Sequence, residues 1–169
     1  KEIFQKILDF APEQESAFDF IKTCLSRSNL GSTLAHIFVN RAANLLQKDI
    51  FNQSILAKYA ELYLQLQPEN IPVLVKLINL YQDTRRYADS LELVEQLLDR
   101  SQTQLDTIAA YYLKIRCLLN SGSNLSEAAA IHPIYEQRLT DLINSVESGS
   151  LQITDNHRFN LISTISFFS

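Results

Sequence analysis

The chain of 169 residues is poor in glycine and contains no methionine. Its three glycines are Gly31, Gly122 and Gly149. So few glycines argue against an all-β fold, which needs many of them in turns. They also cannot form a glycine-rich phosphate loop. The absence of methionine leads us to expect a piece of a longer protein, with further chain beyond its last residue.

Basic stripes and long apolar runs are also absent. The formal net charge is −4, and the only adjacent basic pair, Arg85 and Arg86, lies between Asp83 and Asp89. A solvated turn explains this pair better than a phosphate site, so we predict no nucleic-acid partner. No apolar run approaches the roughly 18 residues that a membrane helix needs, so we predict no membrane span.

Cysteine is scarce, and both cysteines occur in apolar helical segments. Cys24 lies in "IKTCL" and Cys117 in "IRCLL". This context predicts reduced, buried thiols in a cytoplasmic protein rather than a secreted disulfide scaffold, although a bond between the two cysteines stays an alternative.

The sequence does contain apolar residues at helical spacing over most of its length. The clearest stripe has the spacing i, i+3, i+4, i+7 and comprises Leu74, Leu77, Ile78 and Tyr81. The next stripe comprises Tyr87, Leu91, Val94 and Leu98. A third comprises Ile108, Tyr111, Tyr112, Ile115 and Leu119. Only "QDTRR" separates the first two stripes, so their helices must be antiparallel neighbours.

Local signals predict where these helices begin and end. Pro12 suits the first position of a helix, with two acidic residues in the first turn. Gly122 suits the end of the third helix above, and Pro133 predicts either a kink or a new helix start. A last helix is expected in "RFNLISTISFF", with a strand as the alternative. Three residues are predicted N-caps: Ser32, Asn52 and Asp155.

An offset of 34 residues carries apolar positions onto apolar positions, for example Leu74 onto Ile108 and Tyr81 onto Ile115. The segment resembles the tetratricopeptide repeat at Leu74, Leu77, Tyr81, Tyr87 and Ala88. It departs from that repeat where small residues are usual, at Ile78, Ser90 and Leu97.

The resemblance implies an all-α fold, a right-handed superhelix of antiparallel helix hairpins. We predict one tetratricopeptide-like domain over 1–169, with the clearest repeat at 71–100 and the start of a further unit at 155–169. The first 36 residues do not match the repeat.

A narrower resemblance covers "QPENIPVLVKLINLYQDTRRYADSLELVEQLL", "DTIAAYYLKIRCLLNSGSNLSEA" and "HRFNLISTISFF". The first two segments resemble the helical N-terminal region of cyanobacterial SPINDLY-type O-linked N-acetylglucosamine transferase-like proteins, and the last resembles the segment that follows the repeats there. In that family a glycosyltransferase domain follows the helical region. The resemblance implies that this chain is the non-catalytic binding region of a larger, glycosyltransferase-like protein.

A catalytic constellation is not evident in the sequence. His36, His132 and His157 lack metal-ligand spacing, and a cysteine nucleophile would need a nearby histidine. We therefore predict no catalytic residue, no metal and no cofactor. Two patterns have both a functional and a simpler explanation. The acidic stripe of Asp89, Glu92, Glu95 and Asp99 fits a metal site less well than a solvated helix face. Tyr111 and Tyr112 could form a platform on which a ligand stacks, but their spacing fits residues that fill the core between hairpins better.

In the tetratricopeptide register, the groove-facing positions are Val75, Asn79, Gln82, Ala109, Leu113 and Arg116. The amides of Asn79 and Gln82 suit a peptide backbone, and Arg116 suits a carboxylate; the alternative is that all are simply solvated. We therefore predict a scaffold for a protein or extended peptide. The alternatives are a spacer that forms homodimers through the ends of the array, and a small helical enzyme with a cleft of paired titratable groups.

Overall fold

The computed structural model describes residues 1–27, 31–47, 52–122 and 124–149. Within these ranges the chain forms eight α-helices and no strand, which confirms the all-α class. The helices are α1 (Glu2–Phe10), α2 (Glu15–Ser26), α3 (Gly31–Leu46), α4 (Gln53–Leu66), α5 (Ile71–Asp83), α6 (Tyr87–Arg100), α7 (Gln104–Ser121) and α8 (Leu125–Glu147). The predicted last helix, its strand alternative and the Asp155 cap lie outside the described residues.

Four of the helices begin at a residue whose side chain accepts a hydrogen bond from a backbone N–H in the first turn. These N-caps satisfy donors that a helix leaves unpaired, and each contributes about 1 kcal/mol. They are Asn52 of α4, Asn70 of α5, Thr103 of α7 and Asn124 of α8. The prediction for Asn52 is confirmed.

Two predicted helix starts near the N-terminus are wrong. Pro12 lies in a turn rather than at the start of α2, because the N–H of Gln14 donates to the carbonyl of Ala11 and closes a turn around it. Helix α2 begins only at Glu15, which is the sole acidic residue of its first turn. Ser32 is the second residue of α3 rather than its cap.

The predictions for Gly122 and Pro133 are resolved differently. Gly122 follows the end of α7 with φ of 64°, a left-handed conformation that glycine adopts without strain, as expected for a helix end. Pro133 lies inside α8, which continues through it from Leu125–Glu147. The alternative of a new helix at Pro133 is therefore wrong.

The chain divides into two compact units, Lys1–Arg86 and a second that begins at Tyr87. In the described part of the first unit, each of α1 to α4 packs on the next helix in the chain. The remaining packed pairs of that part are next-but-one helices: α1 with α3, α2 with α4 and α3 with α5. In the second unit, α6 packs on α7 and α7 on α8. The predicted repeat 71–100 spans the boundary, so its α5–α6 packing stays a prediction, as does the superhelix.

An aromatic cluster forms the core where α2, α3 and α4 meet in the first unit. The Tyr59 ring is 1% exposed and meets Phe18 edge-on, with centroids 5.2 Å apart. Phe38 stacks on Tyr59 with centroids 6.2 Å apart. Such ring pairs contribute about 0.5–1.5 kcal/mol beyond the burial of apolar surface. Because the three rings come from three helices, the cluster joins α2, α3 and α4.

The predicted stripe of α5 is confirmed, since all four of its residues are buried. The other two stripes are correct only in part. In α6, Val94 is buried, but the other three predicted residues are half-buried. In α7, Leu119 is 50% exposed, and its neighbour Leu118 is buried instead. The buried residues that join α7 to α8 are Ile108, Ile115, Leu118, Ala128, Ile131, Tyr135 and Leu142.

Candidate binding surface

The six positions predicted to face a groove differ in exposure. Four of them are half-buried and reach the surface: Val75, Asn79, Ala109 and Arg116. Gln82 is 5% exposed and Leu113 is 3% exposed. Both side chains are therefore buried in the described structure, and their role in a groove stays a prediction.

Helix geometry explains why Gln82 and Leu113 are buried. Gln82 lies one turn beyond Ile78, which is fully buried, so it faces the interior of the fold. Leu113 lies three residues after Ala110 and four before Cys117, and both of these have no exposed surface. Both residues therefore lie on the buried side of their helices.

In the first unit, the accessible part of the predicted surface is small. Val75 and Asn79 are one turn apart on α5. The Asn79 Nδ2 donates to the carbonyl oxygen of Val75 over 3.0 Å. This bond uses one of the two N–H donors of the amide, so fewer remain for a peptide backbone. Asn79 is thus a weaker peptide anchor than the sequence suggests.

In the second unit, Ala109 and Arg116 lie on one face of α7 together with Tyr112. The spacings of three and four residues place these half-buried side chains in a line, which we call the α7 stripe. The Arg116 guanidinium carbon lies 5.7 Å from the centroid of the Tyr112 ring, within cation–π range. The stripe thus combines a carboxylate-binding group with an aromatic face.

The spacing of Tyr112 predicts a residue that fills the core and does not reveal its pairing with Arg116. The missed signal is the i, i+4 spacing of an aromatic residue and an arginine on one helix. Arginine stacks on aromatic rings and binds carboxylates through two parallel hydrogen bonds. The α7 stripe is therefore suited to an acidic side chain or a chain terminus beside an apolar group.

A lysine bridge lies close to the stripe along α7. The Lys114 Nζ is 2.6 Å from Glu95 Oε1 on α6 and 2.9 Å from Glu127 Oε1 on α8. Burial of Lys114 disfavours its charge, but its hydrogen bonds to Glu95 and Glu127 outweigh that effect, so the pKa of Lys114 is raised. Lys114 therefore joins three helices through two carboxylates.

The cysteines do not form a nucleophilic site in the described structure. Cys117 has no exposed surface, and its thiol donates to the carbonyl oxygen of Tyr87 with Sγ and O 3.4 Å apart. Burial raises the pKa of the Cys117 thiol, which keeps it protonated and unreactive. Cys24 is a half-buried free thiol in the other unit.

The histidines and acidic residues are likewise scattered. His36 is exposed, and the Nδ1 of His132 lies 3.6 Å from Glu136 on the same helix; His157 is outside the described residues. All four residues of the acidic stripe of α6 are exposed, as a solvated helix face requires. Across the described ranges, no three His, Cys, Asp or Glu residues lie close enough to hold a metal ion.

Two further findings concern the chain as a whole. In the part that the structure describes, no helix combines the length and the apolar character needed to cross a membrane. No known protein family, curated protein or solved structure matches the chain. The resemblances to tetratricopeptide repeats and to SPINDLY-type proteins stay predictions.

Proposed function

We propose that this chain is a scaffold for protein–protein interaction, built from stacked tetratricopeptide-like helix hairpins in a right-handed superhelix. The observation that supports this most is the packing order of the first unit. Its described helices contact only their nearest and next-nearest neighbours along the chain. Repeat arrays pack in this way, and they use their extended surfaces to bind peptides and proteins.

The α7 stripe is the proposed contact for the partner. Its ligand is a protein segment or extended peptide with a carboxylate that pairs with Arg116 and an apolar group that packs on Tyr112. The half-burial of both side chains supports this, because a partly desolvated charge binds its counter-charge more strongly than a fully solvated one.

The parent protein, in this proposal, is a cytoplasmic glycosyltransferase-like enzyme, and this chain is its non-catalytic partner-binding region. The support is the sequence resemblance described above. The protonated, buried thiol of Cys117 is also consistent with a binding role rather than with nucleophilic chemistry.

Selection of peptides from a random display library on the purified chain tests the proposal. The affinity of the selected peptides is then measured for Arg116→Gln and for the control Arg138→Gln. Arg138 is a suitable control because its guanidinium carbon also lies near a tyrosine ring, 5.6 Å from the centroid of Tyr111. We expect Arg116→Gln to weaken binding at least about tenfold and Arg138→Gln to leave it within about twofold.

Two results would contradict the proposal. One is that no peptide is selected at micromolar affinity. The other is that the two variants bind the selected peptides equally well. Acidic residues should also be enriched among the selected sequences, since a carboxylate is the expected partner of Arg116.

The alternative, a module that dimerises through one end of the array, has an observation in its favour on α1. Ile3 is 69% exposed and Phe10 is 83% exposed, and their seven-residue spacing places them on one face. Sedimentation of the chain and of Phe10→Glu at several concentrations distinguishes the two functions. A dimer that Phe10→Glu dissociates would favour the alternative.

A further inference from the structure

A cleft of about 550 Å³ lies between α1 and α3 in the first unit, away from the α7 stripe. This volume is within the usual range of small-molecule sites, about 300–1,000 Å³. The residues that line the cleft are Leu8, Asp9, Arg41, Asn44, Leu45 and Gln47.

The two helices that bound the cleft contribute opposite charges, Asp9 from α1 and Arg41 from α3. The Nη1 of Arg41 lies 3.3 Å from the Oδ1 of Asp9, and their side chains are 46% and 35% exposed. Ion pairs with this much exposure stabilise a fold only weakly, so a ligand can separate the two groups easily. A guanidinium has five N–H donors and a carboxylate has about four acceptor sites, so one mutual contact leaves capacity for a ligand.

The rest of the cleft is polar at its rim and apolar at its floor. Asn44 follows Arg41 by three residues on the same side of α3, and Gln47 lies directly after the end of that helix and also lines the cleft. The amides of Asn44 and Gln47 are exposed. Leu8 is 1% and Leu45 is 6% exposed, so the floor offers little apolar surface and recognition must depend on polar groups.

We propose that this cleft binds a small zwitterion of the α-amino acid class. Its carboxylate pairs with Arg41 and its ammonium group with Asp9. A ligand with a single charge is attracted by one of these groups and repelled by the other. A ligand with both charges on one carbon replaces the single ion pair between Asp9 and Arg41 with two ion pairs to the ligand. Its two charges are also about as close together as those of Asp9 and Arg41.

The side-chain amides complete the proposed site. Asn44 and Gln47 each provide donors and an acceptor, which suit the second carboxylate oxygen or a polar side chain of the ligand. A peptide carries its two terminal charges far apart, so it matches the charge pair less well than a free amino acid.

An NMR titration of the ¹⁵N-labelled chain at pH 7 tests the proposal with L-glutamine and L-leucine as probes. Each is compared with its N-acetyl derivative, which lacks the cation, and its carboxamide, which lacks the anion. We expect the free amino acids to shift the amide signals of α1 and of the second half of α3. Removal of either charge from the ligand should weaken binding at least tenfold.

Variants of the charge pair provide a sharper second test. Asp9→Asn should weaken binding of the free amino acid at least tenfold. It should strengthen binding of the N-acetyl derivative, because the repulsion between Asp9 and the carboxylate of that derivative is removed. Arg41→Gln should also weaken binding of the free amino acid at least tenfold, but it should strengthen binding of the carboxamide, because the repulsion between Arg41 and the ammonium group is removed. Lys58→Gln is the control, since Lys58 forms an exposed ion pair with Glu15 elsewhere in the same unit and should leave binding unchanged.

The proposal is overturned if neither amino acid shifts these signals at 10 mM, or if the blocked derivatives bind as well as the free acids. It is also overturned if Lys58→Gln weakens binding as much as Arg41→Gln. Binding of a peptide with both termini blocked, at these same residues, would make the cleft a peptide site instead.

Discussion

Each of the two units has a point at which three of its helices meet. The two junctions are stabilised by opposite kinds of contact. In the first unit, the buried ring of Tyr59 joins α2, α3 and α4 through contacts with Phe18 and Phe38. In the second, the Lys114 ammonium group joins α6, α7 and α8 through two carboxylates. The first junction depends on apolar packing, and the second depends on charge. Substitutions and pH should therefore affect the two units differently.

The polar atoms at the two junctions make the contrast stronger. The hydroxyl of Tyr59 has no hydrogen-bond partner among the residues that the structure describes. The ammonium of Lys114 has two partners, and its side chain is 14% exposed. An unpartnered buried hydroxyl is unfavourable, whereas a paired charge at a partly exposed site is favourable.

The largest effect is expected from a charge placed in the core of the first unit. Leu77 is 2% exposed, so Leu77→Asp buries a carboxylate without a partner. We expect a loss of more than about 4 kcal/mol in the free energy of unfolding, enough to unfold the unit. Loss of amide-exchange protection in α4 and α5 is the measurement. The control Gln65→Asp, at an exposed position of α4, should keep protection; retained protection in Leu77→Asp would contradict the packing described here.

The second effect concerns the lysine bridge. Lys114→Met removes both charged hydrogen bonds and leaves Glu95 and Glu127 facing each other. We expect a loss of about 1–2 kcal/mol, reduced from the value for buried pairs because the glutamates are 54% and 38% exposed. Denaturant unfolding of the second unit, followed by helical circular dichroism, is the measurement. Lys76→Met, a half-buried lysine of α5, is a comparison variant in the first unit.

The pH dependence of this effect follows from the raised pKa of Lys114. A group whose pKa is higher in the folded state stabilises the fold fully below its unfolded pKa of 10.5. This contribution is lost as the pH rises through the folded pKa. The difference between the chain and Lys114→Met should therefore be constant from pH 7 to about pH 10 and shrink above it. A difference that is independent of pH to pH 12 would show that the bridge does not stabilise the fold.

The third effect concerns Gln82, where the structure changes an expectation from the sequence. As a groove residue, Gln82 could be replaced by alanine without effect on the fold. Because Gln82 is 5% exposed, we now expect Gln82→Ala to reduce the stability of the first unit by about 1 kcal/mol, through lost packing and hydrogen bonding. Thermal unfolding is the measurement, with Gln65→Ala as the exposed control. An unchanged melting temperature in both variants would mean that the side chain of Gln82 does not stabilise the fold, as expected of a residue on the predicted surface.

These cases show which features a single sequence reveals. The buried stripe of α5 and the cap at Asn52 follow from spacing and residue type within one helix, and both were predictable. The Lys114 bridge could not be predicted from the sequence, because its two glutamates lie on two other helices. The α1–α3 cleft could not be predicted either, since Asp9 and Arg41 are joined only by tertiary packing.

The smallest effect, and the most informative about the aromatic junction, is expected from Tyr59→Phe. The substitution keeps the ring contacts with Phe18 and Phe38 and removes a hydroxyl without a partner in the described structure. Stability at pH 7 should change by less than about 0.5 kcal/mol or rise slightly. The control is Tyr81→Phe, because the Tyr81 hydroxyl donates to Glu61 Oε1 over 2.7 Å; its loss should reduce stability by about 1 kcal/mol.

Alkaline pH provides a second test of the Tyr59 hydroxyl. Burial raises the pKa of Tyr59 from 10.0 to about 12. Between these values the unfolded chain releases the phenol proton and the folded chain retains it, so the first unit loses stability as the pH rises. Tyr59→Phe removes this loss and should be more stable than the unsubstituted chain above pH 10, by denaturant unfolding of the first unit. Equal stability of the two chains at pH 11 would mean that water reaches the Tyr59 hydroxyl, and that the aromatic junction is less closed than its burial implies.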